Sequence, residues 1–164
     1  MTDYRRNEIV VVDGLKKYLS TKARPCEVVS QNQVAEVPQY PYVSYTVTTV
    51  ASPFNGTYCV AENGTLYRDA TQTVSFTVQS DDADEAFALG LKMLSYFTAT
   101  GIAYLADNGI TVRKVTGLTT RDNLLTIQYE HRTGLDVTFG LPYEITSEEQ
   151  PTKDVVETFE IKEV

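Results

Sequence analysis

The stretch Tyr129-Glu-His-Arg-Thr-Gly-Leu-Asp-Val-Thr-Phe-Gly140 contains the only histidine of the chain, with an arginine beside it and an aspartate five residues on. These residue types could do acid–base work. His131 would be the general base, Asp136 would orient its imidazole, and Arg132 would hold an anion. The spacing opposes this reading. On a strand, positions 131 and 136 differ by an odd number and face opposite sides unless Gly134 inserts a bulge. No G-x-S-x-G elbow supplies a strained nucleophile. The stretch therefore reads as a strand bent at Gly134, with Arg132 and Asp136 able to pair locally.

Other chemistry is weaker still. Asp81, Asp82, Asp84 and Glu85 lack the spacing and glycine of a calcium loop, and they suit the positive end of a helix dipole. Neither G-x-G-x-x-G nor G-x-x-x-x-G-K occurs. Cys26 and Cys59 have no C-x-x-C spacing, and one histidine does not build an ordinary zinc site. No cofactor and no metal is expected. Tyr40, Tyr42 and Tyr45 could stack bases, but 14 Lys+Arg against 22 Asp+Glu give a formal charge of -8. A chain so acidic lacks the basic footprint that phosphate binding needs, so these tyrosines read as packing or interface. No stretch approaches the roughly 18 apolar residues of a membrane span. With no signal-peptide core near the N-terminus, the two thiols read as free in a reducing compartment. Asn55-Gly-Thr and Asn63-Gly-Thr match a glycosylation pattern, and without secretion they read as Asn-Gly turns.

The elements that must carry these residues follow from periodicity. The 164 residues suffice for one domain spanning 1–164. Residues 3–20 are predicted helical, with Ile9, Val12, Leu15 and Leu19 on the buried face. Cys26–Ser30 is a short strand. Residues 31–41, with Pro38 and Pro41, form an extended projecting loop. Val43, Tyr45 and Val47 alternate with polar residues as a strand does, as do Val74, Phe76 and Val78. Residues 51–70, with two Asn-Gly pairs, are a hairpin or a second projecting loop. Ser80 caps a second helix whose apolar stripe is Phe87, Leu91, Leu94 and Phe97 or Thr98. Residues 100–108 form at most a short helical turn. Residues 110–115, 123–130 and 135–139 are strands, and the alternating tail at 155–163 is a last one. The sum is an α+β fold: a mainly antiparallel or mixed sheet with two helices packed on it.

Two segments carry a resemblance. One is Gln31-Asn-Gln…Pro38-Gln-Tyr-Pro-Tyr-Val-Ser-Tyr45, and the other is the Tyr129–Phe139 run. With the leading helix and the length, they resemble a family of tailed-phage and prophage neck or tail terminator proteins. There an N-Q…P-x-x-P-Y-V segment follows an N-terminal helix, and a Y-x-x-R-x-G-[FL]-D-V-x-F segment lies near the C-terminus. Leu135 stands where an aromatic is more frequent, and the last 20 or so residues carry no family signal. The matching positions include Asn32, Pro38, Tyr40, Pro41, Tyr42, Arg132, Gly134 and Asp136, which become the candidate interaction residues. The resemblance implies a non-enzymatic virion protein, assembled in the host cytoplasm. Its partners would be further copies of itself in a hexameric ring, the tail tube protein and the head-completion proteins. DNA would pass through the lumen without specific binding, and no membrane is involved. Another head–tail joining or minor tail protein is the alternative, and a monomeric ligand-binding domain or small enzyme is the third.

Overall fold

The computed structural model describes residues 4–22, 24–32, 36–53, 59–62, 65–125 and 128–145. It is a mixed α+β fold. Helix α1 (Tyr4–Leu19) leads to strand β1 (Glu27–Ser30), which runs parallel to β2 (Tyr42–Pro53). Strand β2 pairs antiparallel with β4 (Leu66–Ser80), which is preceded by the two-residue β3 (Cys59–Val60). Helix α2 (Ala83–Ser95), a π-helical turn (Tyr96–Thr100) and a short α3 (Ile102–Asp107) follow. Strand β5 (Thr111–Val115) and the short β6 (Thr119–Thr120) and β7 (Asn123–Leu125) then pair with the long β8 (Gln128–Ile145). The main strand order is β1-β2-β4-β8-β5, with β3 on β4 and β6 and β7 on β8. The predicted strand at 155–163 lies outside the described residues.

Alternation sets the two faces of the sheet. Val43, Tyr45, Val74, Phe76, Val78, Leu135, Val137 and Phe139 point to the helices and form the core with Leu15, Met93, Phe97, Leu105 and Ile110. Phe97 is its hub, with ring centroids 5.0 Å from Phe76 and 5.9 Å from Phe139. The opposite face carries hydroxyls: Ser44, Thr46, Thr73, Ser75, Thr77 and Thr138. The Asn-Gly pairs at 55–56 and 63–64 lie outside the described residues. Strands β2 and β4 extend through Pro53 and back from Leu66, with β3 beside them. Along β4 the alternation of buried and half-buried side chains gives way to half-buried ones over Leu66–Arg68 and an exposed Asp69.

Each helix buries part of the face predicted: Leu15 and Leu19 in α1, with Val12 packed against the core, and Phe97 at the end of the second stripe, with Leu94 packed against the core. In α1 the buried row is Val11, Leu15 and Leu19, while Ile9 is 58% exposed. Glu8 shares the inner side, where its carboxylate accepts from the Tyr45 hydroxyl at 2.5 Å. In α2 the buried row is Ala86, Gly90 and Met93, while Phe87 and Leu91 are 56% and 44% exposed. Small residues win because they let the helix lie close to the sheet. A Cβ on Gly90 would come within 2.9 Å of Thr133 Cγ2. The cap is also shifted. Asp82, not Ser80, accepts from the Glu85 N–H at 3.0 Å. The fully buried Ser80 donates to Glu85 Oε2 at 2.7 Å and accepts from the Asp82 N–H at 3.1 Å.

Gly14 weakens α1 as an isolated helix, and packing explains its presence. A Cβ there would strike the Tyr96 hydroxyl and lie 2.6 Å from Tyr104 Cε1. Gly14→Ala should therefore lower stability by about 1–2 kcal/mol despite the better helix propensity. A fall in the urea midpoint checks this, and a rise would show that the tyrosines simply move aside.

Candidate functional site

The hydroxyl-bearing face of β8 brings together part of the predicted set. Glu130 is 4% exposed. Its carboxylate accepts from Arg132 Nε at 2.8 Å and Nη2 at 2.5 Å, and from the Tyr40 hydroxyl at 3.0 Å. Tyr40 stacks on Tyr42 with centroids 5.7 Å apart and planes 18° from parallel. Burial, followed by the hydrogen bond to Glu130, pushes the Tyr40 phenol up to about 12. Thus Tyr40, Tyr42 and Arg132 converge on an acid that the sequence did not single out. The bond spans from residue 40 to residue 130, so it ties the β1–β2 connection to the start of β8.

One step along β8, Arg121 lies flat on the sheet. Its Nη1 donates to Ser75 Oγ at 2.7 Å and Thr77 Oγ1 at 3.1 Å, and its Nη2 pairs with Asp136 Oδ1 at 3.0 Å. The Ser75 hydroxyl first, and then Arg121, hold the Asp136 carboxyl below its ordinary range. The expected Arg132–Asp136 pair does not form. Four residues along a strand span about 13 Å, and each side chain finds a nearer partner: Arg132 takes Glu130, two residues back on its own strand, and Asp136 takes Arg121. Gly134 makes no bend either. The β4–β8 register runs unbroken from Leu66↔Ile145 to Ser80↔His131. Glycine is there for space, since a Cβ would lie 2.6 Å from the Phe76 carbonyl oxygen and 2.9 Å from Arg121 Nη1.

His131 sits at the end of the same strand. Its nearest carboxylate is Asp122, with Nδ1 3.8 Å from Oδ2, and not Asp136. The other Asp122 oxygen accepts from the Arg132 N–H at 2.8 Å. Ser80 is opposite His131 in the ladder, but its hydroxyl is engaged with Glu85 and Asp82 and serves the helix cap. This geometry fastens loops and holds no poised nucleophile.

The remaining predicted residues are placed separately. Asn32 is exposed in the turn after β1. Pro38 walls a pocket of about 130 Å³ together with Val29, Tyr42, Ser44 and Gln79. In it the buried Gln79 donates to Ser44 Oγ at 3.0 Å, while its Oε1 has no partner. Pro41 is buried and follows a cis peptide bond. It borders a second pocket, of about 230 Å³, with Leu19, Cys26 and Leu89. Among the described residues no cluster of His, Cys, Asp and Glu could hold a metal ion, and no helix is long and apolar enough to cross a membrane.

Sequence reasoning missed Glu130, Arg121 and Asp122. One signal was available. A glycine in the middle of an alternating strand, with hydroxyls at 73, 75 and 77, marks a place where something large lies close to the backbone.

Cys26 is a free thiol, 2% exposed. Burial, and then the charges of Glu27 and Glu85, raise it from 9.0 to about 11. The native state therefore keeps a proton that the unfolded chain loses first, so stability falls as pH rises through that interval. The buried Tyr96, at about 12, acts in the same direction at higher pH. A lower urea midpoint at pH 10.5 than at pH 8, together with slow native alkylation of Cys26, is expected. An unchanged midpoint would contradict it.

The family comparison supplies the class: residues 10–164 match the phage neck terminator proteins, and the chain belongs to that family. It is thus a structural protein of the phage head–tail junction. No curated protein matches the chain.

Proposed function

We propose that this protein is a ring-forming terminator, six copies of which cap the tail tube and offer a surface to the head-completion proteins. Family membership carries the reading. The exposed Phe87 and Leu91 on α2 add to it, since apolar side chains left outside in this way suit a partner. The Tyr40–Glu130–Arg132 and Arg121–Asp136 networks are the rigid supports that hold the loops at 36–42 and 116–122 for those contacts. The formal charge of -8 suits a lumen through which DNA slides, because like charge repels phosphate. The chain acts as one domain, in the virion, after assembly in the host cytoplasm.

Native mass spectrometry over a range of concentrations tests this, alone and with the tail tube protein present. A closed oligomer near six copies is expected in at least one condition. A monomer in both sinks the ring. Another head–tail joining role would then remain, and the identity of the bound neighbour would define it.

A further inference from the structure

The connection between β1 and β2 stands against the hydroxyl-bearing face of the sheet, and the pocket of about 130 Å³ lies between them. Its floor is sheet: Val29 of β1 pairs with Ser44 of β2, and Tyr42 of β2 with Gln79 of β4. The facing wall is Glu36, Val37 and Pro38. The Tyr40 hydroxyl, donating to Glu130 at 3.0 Å, holds that wall in place. Gln79 is 5% exposed. Its Nε2 donates to Ser44 Oγ at 3.0 Å, which leaves Oε1 a buried acceptor with no donor among the described residues. A buried acceptor in this state is costly and calls for a donor. The pocket volume far exceeds the roughly 10–15 Å³ that one water needs, so a group the size of a side chain has room.

We infer that this pocket binds an alkylammonium group of the kind a lysine side chain of another protein molecule carries. Its methylenes lie along Val29, Val37 and Pro38, its ammonium donates to Gln79 Oε1, and Glu36 supplies the counter-charge. Glu36 is the one charged residue among those lining the pocket, so an anion is repelled and a cation is drawn in. The apolar walls suit a long methylene stem that ends in a charge. An ammonium brings donors and no acceptor, so it adds no second unpaired acceptor to the floor. A guanidinium matches less well, because its planar fork asks for two acceptors side by side. The site does not depend on the ring reading, since any number of copies can carry it.

The test titrates n-butylammonium into isotopically labelled full-length protein and follows the Gln79 side-chain amide by NMR. A saturable shift is expected. Butyrate, with a similar stem and the opposite charge, should give none. Gln79→Leu should weaken binding at least tenfold by removing the acceptor. Glu36→Gln changes an exposed position and so tests the site without disturbing the core; it should weaken binding about threefold. No saturable shift at Gln79, an equal response to butyrate, or binding indifferent to both substitutions would overturn the site. Native mass spectrometry with butylammonium present separates the sources of the lysine. Dissociation of oligomers places it on another copy, and unchanged oligomers alongside the Gln79 shift place it on a different protein. Both outcomes support the site.

Discussion

Glu130→Ala should destabilise the protein by about 3–5 kcal/mol, more than any change to an exposed charge. The carboxylate is almost wholly buried and is the shared acceptor for Arg132 and Tyr40. Its removal leaves a guanidinium in a half-closed site without a counter-ion, and breaking such a pair from one side is far costlier than never having built it. Glu130→Gln should lose much less, since an amide oxygen can still accept from both donors. Replacing both partners by apolar residues, Glu130→Leu with Arg132→Met, should recover most of the loss. Urea unfolding of the four proteins checks the order. Limited proteolysis should also find residues 36–42 newly cleavable in Glu130→Ala, because the Tyr40 hydroxyl then has no anchor. Equal loss in the Leu/Met double variant would mean that the pair contributes through packing and not through charge.

Gly134→Ala is the second large effect, with an expected loss of about 2–3 kcal/mol from overpacking. The added methyl group meets the Phe76 carbonyl and the Arg121 guanidinium together. Arg121 must lift, and its hydrogen bonds to Ser75, Thr77 and Asp136 lengthen or break. A double-mutant cycle with Arg121→Ala separates the two collisions. If displacement of the guanidinium dominates, Gly134→Ala costs clearly less once Arg121 is gone. Full additivity would place the whole effect on the backbone oxygen. Because Asp136 is held below its ordinary range, Arg121→Ala should also narrow the stability lost on acidification. A depressed carboxyl contributes above its unfolded value, and that contribution is lost as pH falls.

The alternating strands were legible because side chains on the two sheet faces differ so plainly, as at Val74-Ser75-Phe76-Thr77-Val78. The family was legible from two short segments that both fall on or beside the central sheet. The inward faces of α1 and α2 were legible only in part: Leu15, Leu19 and Phe97 are buried as predicted, but Ile9, Phe87 and Leu91 are not. Counting large apolar residues selects Phe87 and Leu91, whereas close packing on a sheet selects Ala86 and Gly90. That competition is decided by the sheet and its loops, through Thr133 and Leu118, which no local window contains. The polar network was half legible. Arg132 and Asp136 were read as a pair and are not one: Arg132 turns to Glu130, two residues back on its own strand, and Asp136 to Arg121 and Ser75, which only the packing of the sheet brings near. Gly134 was misread for the same reason: a glycine's need for space looks, in one dimension, like a need to turn.

The unbroken β4–β8 ladder also constrains the order in which the chain folds. Of its pairs, Ser80 and His131 are nearest in sequence, and Leu66 and Ile145 are furthest apart. Loop closure favours starting at the near pair and zipping outward, so the ladder begins beside the α2 cap and reaches the Leu66–Ile145 end last. The partner of β4 is made only when synthesis reaches Ile145. Until then β4 has an open edge, and the sheet lacks the strand that joins β4 to β5. A ribosome-bound chain therefore carries an unfinished sheet, and the ladder is complete only after Ile145 has been made.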